Sequence, residues 1–199
     1  RNTPWRNTRY PRLEHDCRMT PFWQTIIDKH YPADRKVRGI LLSHSAAVAR
    51  LAIEIAGRKN LDIPEADIEA AAMLHDIGII ATDAPGIDCH GTLPYLAHGA
   101  AGADMLRADG APEAYALVAE RHTGAGLTAD EIASAGLPLP ADRSYMPQST
   151  LEKLICYADC FYSKGGDGKR KSLERVEASM ARFGPGVLAR FRELHKAFG

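Results

Sequence analysis

The chain has 199 residues, a length that suits one domain with a sizeable core. Lys plus Arg and Asp plus Glu each number 25, so the formal net charge is zero and no global basic field argues for nucleic-acid or membrane partners. Hydrophobic content of 45% and charged content of 25% are ordinary for a soluble globular protein, and no apolar run approaches the ~20 residues needed to span a bilayer.

Residues 1–20 carry Arg1, Arg6, Arg9, Arg12 and Arg18 with Pro4 and Pro11, show neither a clean period nor a signal-peptide pattern, and read as an irregular arm ahead of one domain over 21–199. From Pro21 a 3.6-residue period takes over. Phe22 to Tyr31 reads as a short helix stopped before Pro32, and Lys36 to Lys59 as a long one stopped at Asn60. Pro64 sits where a first-turn proline belongs, opening a helix expected to run to about Ile80. Residues 82–93 are dense in turn formers and read as a loop. Pro94 opens a helix to about Ala108, ended by Asp109-Gly110, and Pro112 opens another that reaches His122 before the glycines of Thr123-Gly-Ala-Gly126. Thr128 with Glu131 forms a capping-box signature for a short helix to Ala135. After a proline-bearing loop from Leu137 to Pro147, Ser149 to Lys164 reads as a strong helix broken by Gly165-Gly166-Asp167-Gly168. Two further helices, about 171–182 and 185–197, close the chain. No strand-like alternation persists, so the expected fold class is all-α, a single-domain helical bundle. Cys17, Cys89, Cys156 and Cys160 form no CxxC pair, which fits reduced thiols in a cytoplasmic protein, and Cys156 and Cys160 read as small buried hydrophobes flanking Asp159.

Five helical segments each carry an imidazole or a carboxylate on an apolar face. His44 shares a face with Val48, Leu51 and Ile55, and His75 falls on the stripe of Ile68, Ala71, Ala72 and Ile79. His98 aligns with Ala101, Gly102 and Met105, His122 with Tyr115, Val118 and Ala119, and Asp159 with Ile155 and Tyr162. These faces should turn inward, and Asp76 follows His75 directly. An unpaired buried carboxylate costs several kcal/mol and an unsatisfied imidazole roughly 1–3, against a total folding margin of ~5–15. Convergence on metal removes that conflict, because neutral imidazole and ionised carboxylate are the forms a divalent cation binds. His44, His75, Asp76 and Asp159 furnish one site; His98 and His122 hold a second ion, with Asp76 as the shared, catalytic carboxylate. Imidazole and carboxylate without thiolate favour iron or manganese, with zinc, nickel or cobalt also open. Two such ions about 3.5–4 Å apart suit phosphoryl hydrolysis.

The pattern His44, His75-Asp76 and Asp159 resembles the HD superfamily of metal-dependent phosphohydrolases. The blocks Leu42-Ser-His44-Ser, Leu74-His-Asp-Ile-Gly78, Ala97-His98-Gly99, Arg121-His122-Thr-Gly124 and Leu151-Glu-Lys-Leu-Ile-Cys-Tyr-Ala-Asp159 carry the resemblance, which runs from about His44 to Lys164. The two extra histidines are similar to those of its dinuclear branch, and the wording is similar to bacterial HD hydrolases that split dinucleoside tetraphosphates. That resemblance implies six metal ligands (His44, His75, Asp76, His98, His122, Asp159), two divalent transition-metal ions, and hydrolysis of a phosphate ester or anhydride by a metal-held hydroxide. Superfamily members in which the same ligands hold mixed-valent di-iron and activate dioxygen are the alternative. The chain departs from the tetraphosphate group in its loop 82–93 and in having Cys160-Phe-Tyr-Ser-Lys164 where an isoleucine–glutamate–proline usually follows the last metal aspartate.

A phosphorylated substrate also needs positive charge. Arg121 beside His122 and Lys164 five residues past Asp159 are the expected phosphate contacts. Asp83 and His90, in a loop expected at the pocket rim, are candidates for substrate contact or proton delivery. The run Lys169-Arg170-Lys171 reads as a solvated face, and Thr123-Gly-Ala-Gly126 as a source of free backbone amides near the metals. The expected partner is a small phosphorylated molecule of the nucleotide class, with neither nucleic acid nor membrane; the oligomeric state is left open.

Overall fold

The structure, a computed structural model, describes residues 20–199, so the arm expected over 1–20 lies outside the described residues except for Thr20. Helix α1 (Phe22–His30) is followed by α2 (Lys36–Lys59), whose buried face runs Val37, Leu41, His44, Val48, Leu51, Ile55 at alternating spacings of four and three. Arg50, Glu54 and Arg58 stay exposed on the opposite side. α2 is long and apolar enough to cross a membrane by composition, but that buried face makes it the central core helix. Asn60 ends it in the left-handed region (φ 51°), returning its N–H to the carbonyls of Ala56 and Gly57.

Helix α3 (Glu65–Leu74) opens with Glu65 and Asp67 in its first turn, where the helix dipole favours acids. It stops well short of the expected Ile80. His75 keeps helical angles, Asp76 swings to φ −103° and ψ 11°, and a tight 3-10 turn takes over from Ile77 to Ala81. The buried Tyr31 pins this change: its hydroxyl donates to Ile77 O (2.6 Å) and accepts from the Ile80 N–H (3.2 Å). Residues 82–93, expected to be loop, hold a small antiparallel hairpin, β1 (Asp83–Ala84) and β2 (Cys89–His90), pairing Asp83 with His90 and Ala84 with Cys89. Two-residue strands are too short for a period of two to register in the sequence.

Pro94 leads into a tight turn (Tyr95–Ala97) and then α4 (His98–Ala108), followed by α5 (Glu113–Arg121). In α6 (Ala129–Ser134) the capping box forms as expected: Thr128 Oγ1 accepts the Glu131 N–H (3.2 Å) and the Glu131 carboxylate accepts the Thr128 N–H (2.9 Å). Helix α7 (Thr150–Asp159), capped by Ser149, ends at Asp159 rather than at Lys164. α8 (Leu173–Ala181) and α9 (Pro185–Phe198) close the chain.

α2 packs on α3 and α7; α4 packs on α5 and on the Ile77–Ala81 turn; α5 meets α3 and α7, and α9 covers α7. Glycine makes the α4 contact possible. A Cβ at Gly78 would lie 2.1 Å from His98 O and 2.3 Å from Gly102 N, and one at Gly99 would lie 2.7 Å from Ala119 O. Tyr157 anchors the other end against Phe161, Phe191 and Phe198, with ring centroids 5.1, 5.8 and 5.7 Å away. The architecture is the expected all-α single domain, with the hairpin as its one addition among the described residues.

Candidate metal centre

Three of the four clustered histidines are aimed by one local device. The last carbonyls of a helix have no partner within it. His75, directly after α3, lies with Nδ1 2.6 Å from Ala72 O, and His122, directly after α5, with Nδ1 2.7 Å from Ala119 O. His98, first in α4, meets Tyr95 O of the preceding turn at 2.7 Å. A carbonyl only accepts, so each Nδ1 carries the proton and each Nε2 is left with its lone pair.

All three Nε2 atoms converge on Asp76. His75 lies 3.1 Å from Oδ2, while His122 and His98 lie 3.3 and 3.4 Å from Oδ1. His44, from the middle of α2, brings Nε2 to 3.2 Å from Asp76 Oδ2 and 2.9 Å from Asp159 Oδ1. The ligand atoms fall into two sets, each within 4.8 Å: His44, His75, Asp76 and Asp159, then Asp76, His98 and His122. Asp76 belongs to both, one oxygen turned to each. The break after α3 makes this possible, because consecutive residues of a continuing helix point about 100° apart and do not share a target.

The arrangement is unfavourable without further positive charge at its centre. His98 Nε2 and His122 Nε2 stand 3.0 Å apart, two lone pairs facing each other. Both Asp76 oxygens, His75 Nε2 and His44 Nδ1 are buried and make no well-directed hydrogen bond. Burial would raise the Asp76 carboxyl, but His75 and Lys164 hold it well below the usual carboxylate range; Lys164 and His44 do the same for Asp159 against its own burial. Burial pulls the His75 imidazole down, yet Asp76 and Asp159 lift it to about 10, and the same carboxylates raise His44. His98 moves the other way, pushed to about 3 by burial and by His122. Two buried carboxylates demand cations; protons and the Lys164 ammonium answer one way, a divalent metal another. Orphaned nitrogen and carboxylate donors, with no thiolate among them, fit divalent metal binding.

Of the four residues expected to contact substrate, the structure brings only Lys164 to the cluster. Its Nζ lies 2.8 Å from Asp76 Oδ2 as an ion pair, and 5.8 Å from the centroid of Tyr95, which itself stacks on His98. Lys164 reaches Asp76 because α7 ends at Asp159 and the chain folds back. Arg121 turns elsewhere: its Nη1 pairs with the buried Glu152 at 3.0 Å and its Nε donates to Ser144 O at 3.1 Å. Asp83 and His90 are not brought to the cluster either. A cavity of about 620 Å³ opens beside Asp159 and Lys164 and is lined by Ala84 but by neither of these residues. Alternation along a strand turns Asp83 away from the wall that Ala84 faces, and the exposed His90 lies 3.1 Å from Asp88.

The basic run is only partly solvated. Lys169 is exposed, but the Arg170 guanidinium sits 5.0 Å from the Phe161 ring centre, and Lys171 Nζ donates to Cys160 O (3.3 Å) and Tyr162 O (3.1 Å). Nor is the Gly126 amide free, since it donates to Thr123 O (3.0 Å). Cys156 and Cys160 do more than fill space: both thiols, pushed up by burial, donate to Gly124 O at 3.3 and 3.2 Å and hold that loop behind Asp159. Tyr31 and Tyr95 escaped the sequence reading. For Tyr95 a signal existed, its place three residues before His98; for Tyr31, whose contact with Ile77 spans 46 positions, none did.

Three relatives are similar to parts of this chain. A tRNA (cytidine(56)-2'-O)-methyltransferase of Thermoplasma volcanium is 33% identical over 157 residues, covering 78% of this chain and 41% of that protein. An uncharacterized protein of Methanocaldococcus jannaschii is 37% identical over 122 residues, 60% of this chain and 64% of that one. A tRNA (cytidine(56)-2'-O)-methyltransferase of Picrophilus torridus is 32% identical over 120 residues, 60% of this chain and 30% of that one. The chain therefore spans less than two thirds of each of these relatives. No solved structure matches it. The family model for the HD domain matches residues 41–163, a stretch that contains His44, His75, Asp76, His98, His122 and Asp159. With that match over most of its length and a buried His/Asp cluster suited to divalent metal, the chain belongs to the HD domain family and has the fold of its metal-dependent phosphohydrolases.

Proposed function

We propose that the protein is an enzyme that holds two divalent transition-metal ions, iron first and manganese, zinc, nickel or cobalt as substitutes, and hydrolyses a phosphate ester or anhydride. His44, His75 and Asp159 would hold one ion, His98 and His122 the other, and Asp76 both. Bound there, the pair supplies Lewis-acid charge to a phosphoryl group and acidifies water at neutral pH. The observation that carries the reading is the sharing of Asp76: one carboxylate with each oxygen facing its own set of imidazole lone pairs.

The chain's own residues do the rest. The carbonyls of Ala72, Tyr95 and Ala119 hold the Nδ1–H of three imidazoles, so that each turns Nε2 toward Asp76. Asp159 and Lys164 stand where the cluster meets the cavity, so a phosphoryl group entering from the cavity meets the Lys164 ammonium first. In the net reaction water forms a new P–O bond and loses a proton. The P–O bond to the leaving alcohol or phosphate breaks, and the leaving oxygen takes a proton. The substrate is a small molecule, since about 620 Å³ lies within the roughly 300–1,000 Å³ of small-molecule sites. Methyl transfer, named in two relatives, is no part of this reading, because the chain spans only 41% and 30% of those proteins.

The test is metal analysis of protein purified without added metal, joined to phosphate release from a panel of phosphomonoesters, nucleotides and dinucleoside polyphosphates. Release that a chelator abolishes and added metal restores is the expected result. No release from any of them at full metal loading would overturn hydrolysis, and oxygen uptake by the reduced, iron-loaded protein would replace it with oxidation.

A further inference from the structure

We infer that the substrate is a phosphomonoester with an apolar body rather than a nucleoside polyphosphate; this rests on the hydrolase reading above and specifies its substrate class. The cavity has a polar inner end and apolar walls. Asp159, Lys164 and the ring of Tyr95 lie at the end that adjoins the cluster. The remaining lining is mostly apolar, with Ile87, Leu96, Leu127, Leu137 and Val187, and Thr123, Tyr162 and Ser163 are its uncharged polar side chains. Phe183, between α8 and α9, also lines the cavity and is 69% exposed, the most exposed of the large hydrophobic residues described. An exposed phenyl ring on an apolar cavity gains burial when an apolar guest enters.

The charges present argue against a polyphosphate. Only Lys164 and Lys171 are cationic among the lining residues. The ammonium of Lys171 is engaged by the carbonyls of Cys160 and Tyr162, which leaves Lys164 as the one lining cation to meet a phosphoryl group. Arg121 is committed to Glu152. Beyond the metals and Lys164, the further phosphates of a polyphosphate would find no free cation among these lining residues. A nucleoside would also bring sugar hydroxyls and base edges against aliphatic carbon, and each hydrogen bond left unmade weakens binding by about tenfold. One phosphoryl group at the cluster, with the rest of the molecule hydrocarbon, matches both halves of the cavity.

The experiment measures binding of n-alkylphosphonates from methyl to octyl to the metal-loaded protein by calorimetry, and hydrolysis of the matching n-alkyl phosphates alongside. Affinity is expected to rise about threefold to fourfold per methylene until the cavity is filled. Phe183→Ser and Leu137→Ser, two side chains that are not fully buried, should each weaken octylphosphonate about tenfold and leave methylphosphonate unchanged. Octyl phosphate should exceed a dinucleoside tetraphosphate in kcat/KM by at least about tenfold. Affinity independent of chain length, or a dinucleoside tetraphosphate as the best ligand, overturns the inference. Hydrolysis of the esters with flat affinity would sink the apolar guest and leave the hydrolase standing. Affinity that climbs with chain length while no ester is cleaved would do the reverse.

Discussion

Asp76 is placed so that neither oxygen can be dispensed with: Oδ2 faces His44 and His75, and Oδ1 faces His98 and His122. Asp76→Asn keeps the shape and removes the charge, leaving a neutral amide whose NH2 end has no lone pair to offer a cation. Bound metal should fall to one equivalent or less by elemental analysis, with phosphate release down by about a hundredfold or more, the scale at which even supporting residues of metal sites act. Retention of two ions by the variant would refute the bridging role. Arg121 teaches a different lesson at this scale. Beside His122 in the chain it reads as a phosphate contact, but its partner Glu152, 31 positions on, is visible only in the fold. Burial would raise the Glu152 carboxyl; the Gln148 N–H and the Arg121 guanidinium bring it below its ordinary value of 4.5. The folded state thus takes up this proton at lower pH than the unfolded chain, so the stabilisation is complete above about pH 4.5 and is lost as pH falls through the folded value. The Tm gap between the wild type and Glu152→Gln should be widest at neutral pH and shrink in acid. A gap that does not change with pH would show that the pair contributes nothing through its charge.

Periodicity located the helices and missed two of their ends, and both misses fall at the site. α3 and α7 were each expected to continue past a metal-type residue, through His75-Asp76 and through Asp159. Nothing in the local pattern stops them; Tyr31 stops the first from a distant helix, and the pull of Lys164 onto Asp76 accompanies the early end of the second. The clustered residues themselves are legible because five of them are titratable groups on otherwise apolar faces, and Asp76 adjoins one of these. The hairpin was not, because two residues per strand carry no period. Gly78 ties the Ile77–Ala81 turn to α4 so closely that a Cβ would meet His98 O at 2.1 Å. Backbone on both sides cannot yield as a flexible side chain would. Gly78→Ala should therefore cost about 3 kcal/mol or more, at or above the upper end of overpacking. Since α4 begins with His98, the same push moves His98 from Asp76. A lowered urea midpoint together with loss of the His98–His122 ion before the other is the expected result. Unchanged stability would mean the two backbones are free to separate.

Across the whole molecule, the candidate ligands come from α2, α7, the junctions after α3 and α5 and the start of α4, segments that together enclose the core. α8 and α9 contribute none of them. A metal held by such a set acts as a cross-link among the elements that pack on one another, so its binding energy is shared by the entire cooperative unit. At a free metal level one hundred times Kd, one bound ion adds about 2.7 kcal/mol to the unfolding free energy. For a domain of this size that raises Tm by about 5–11 °C. Chelation should lower the single unfolding transition by that amount per ion. The Asp76→Asn variant should respond to chelator or metal by one ion's worth at most, because its centre no longer holds both sets together. If chelation left Tm untouched while altering only the exchange of amides near Asp159 and Lys164, metal would belong to the cavity mouth alone. The core histidines would then need another source of positive charge, and His98 Nε2 and His122 Nε2, 3.0 Å apart, would have to share a proton between them.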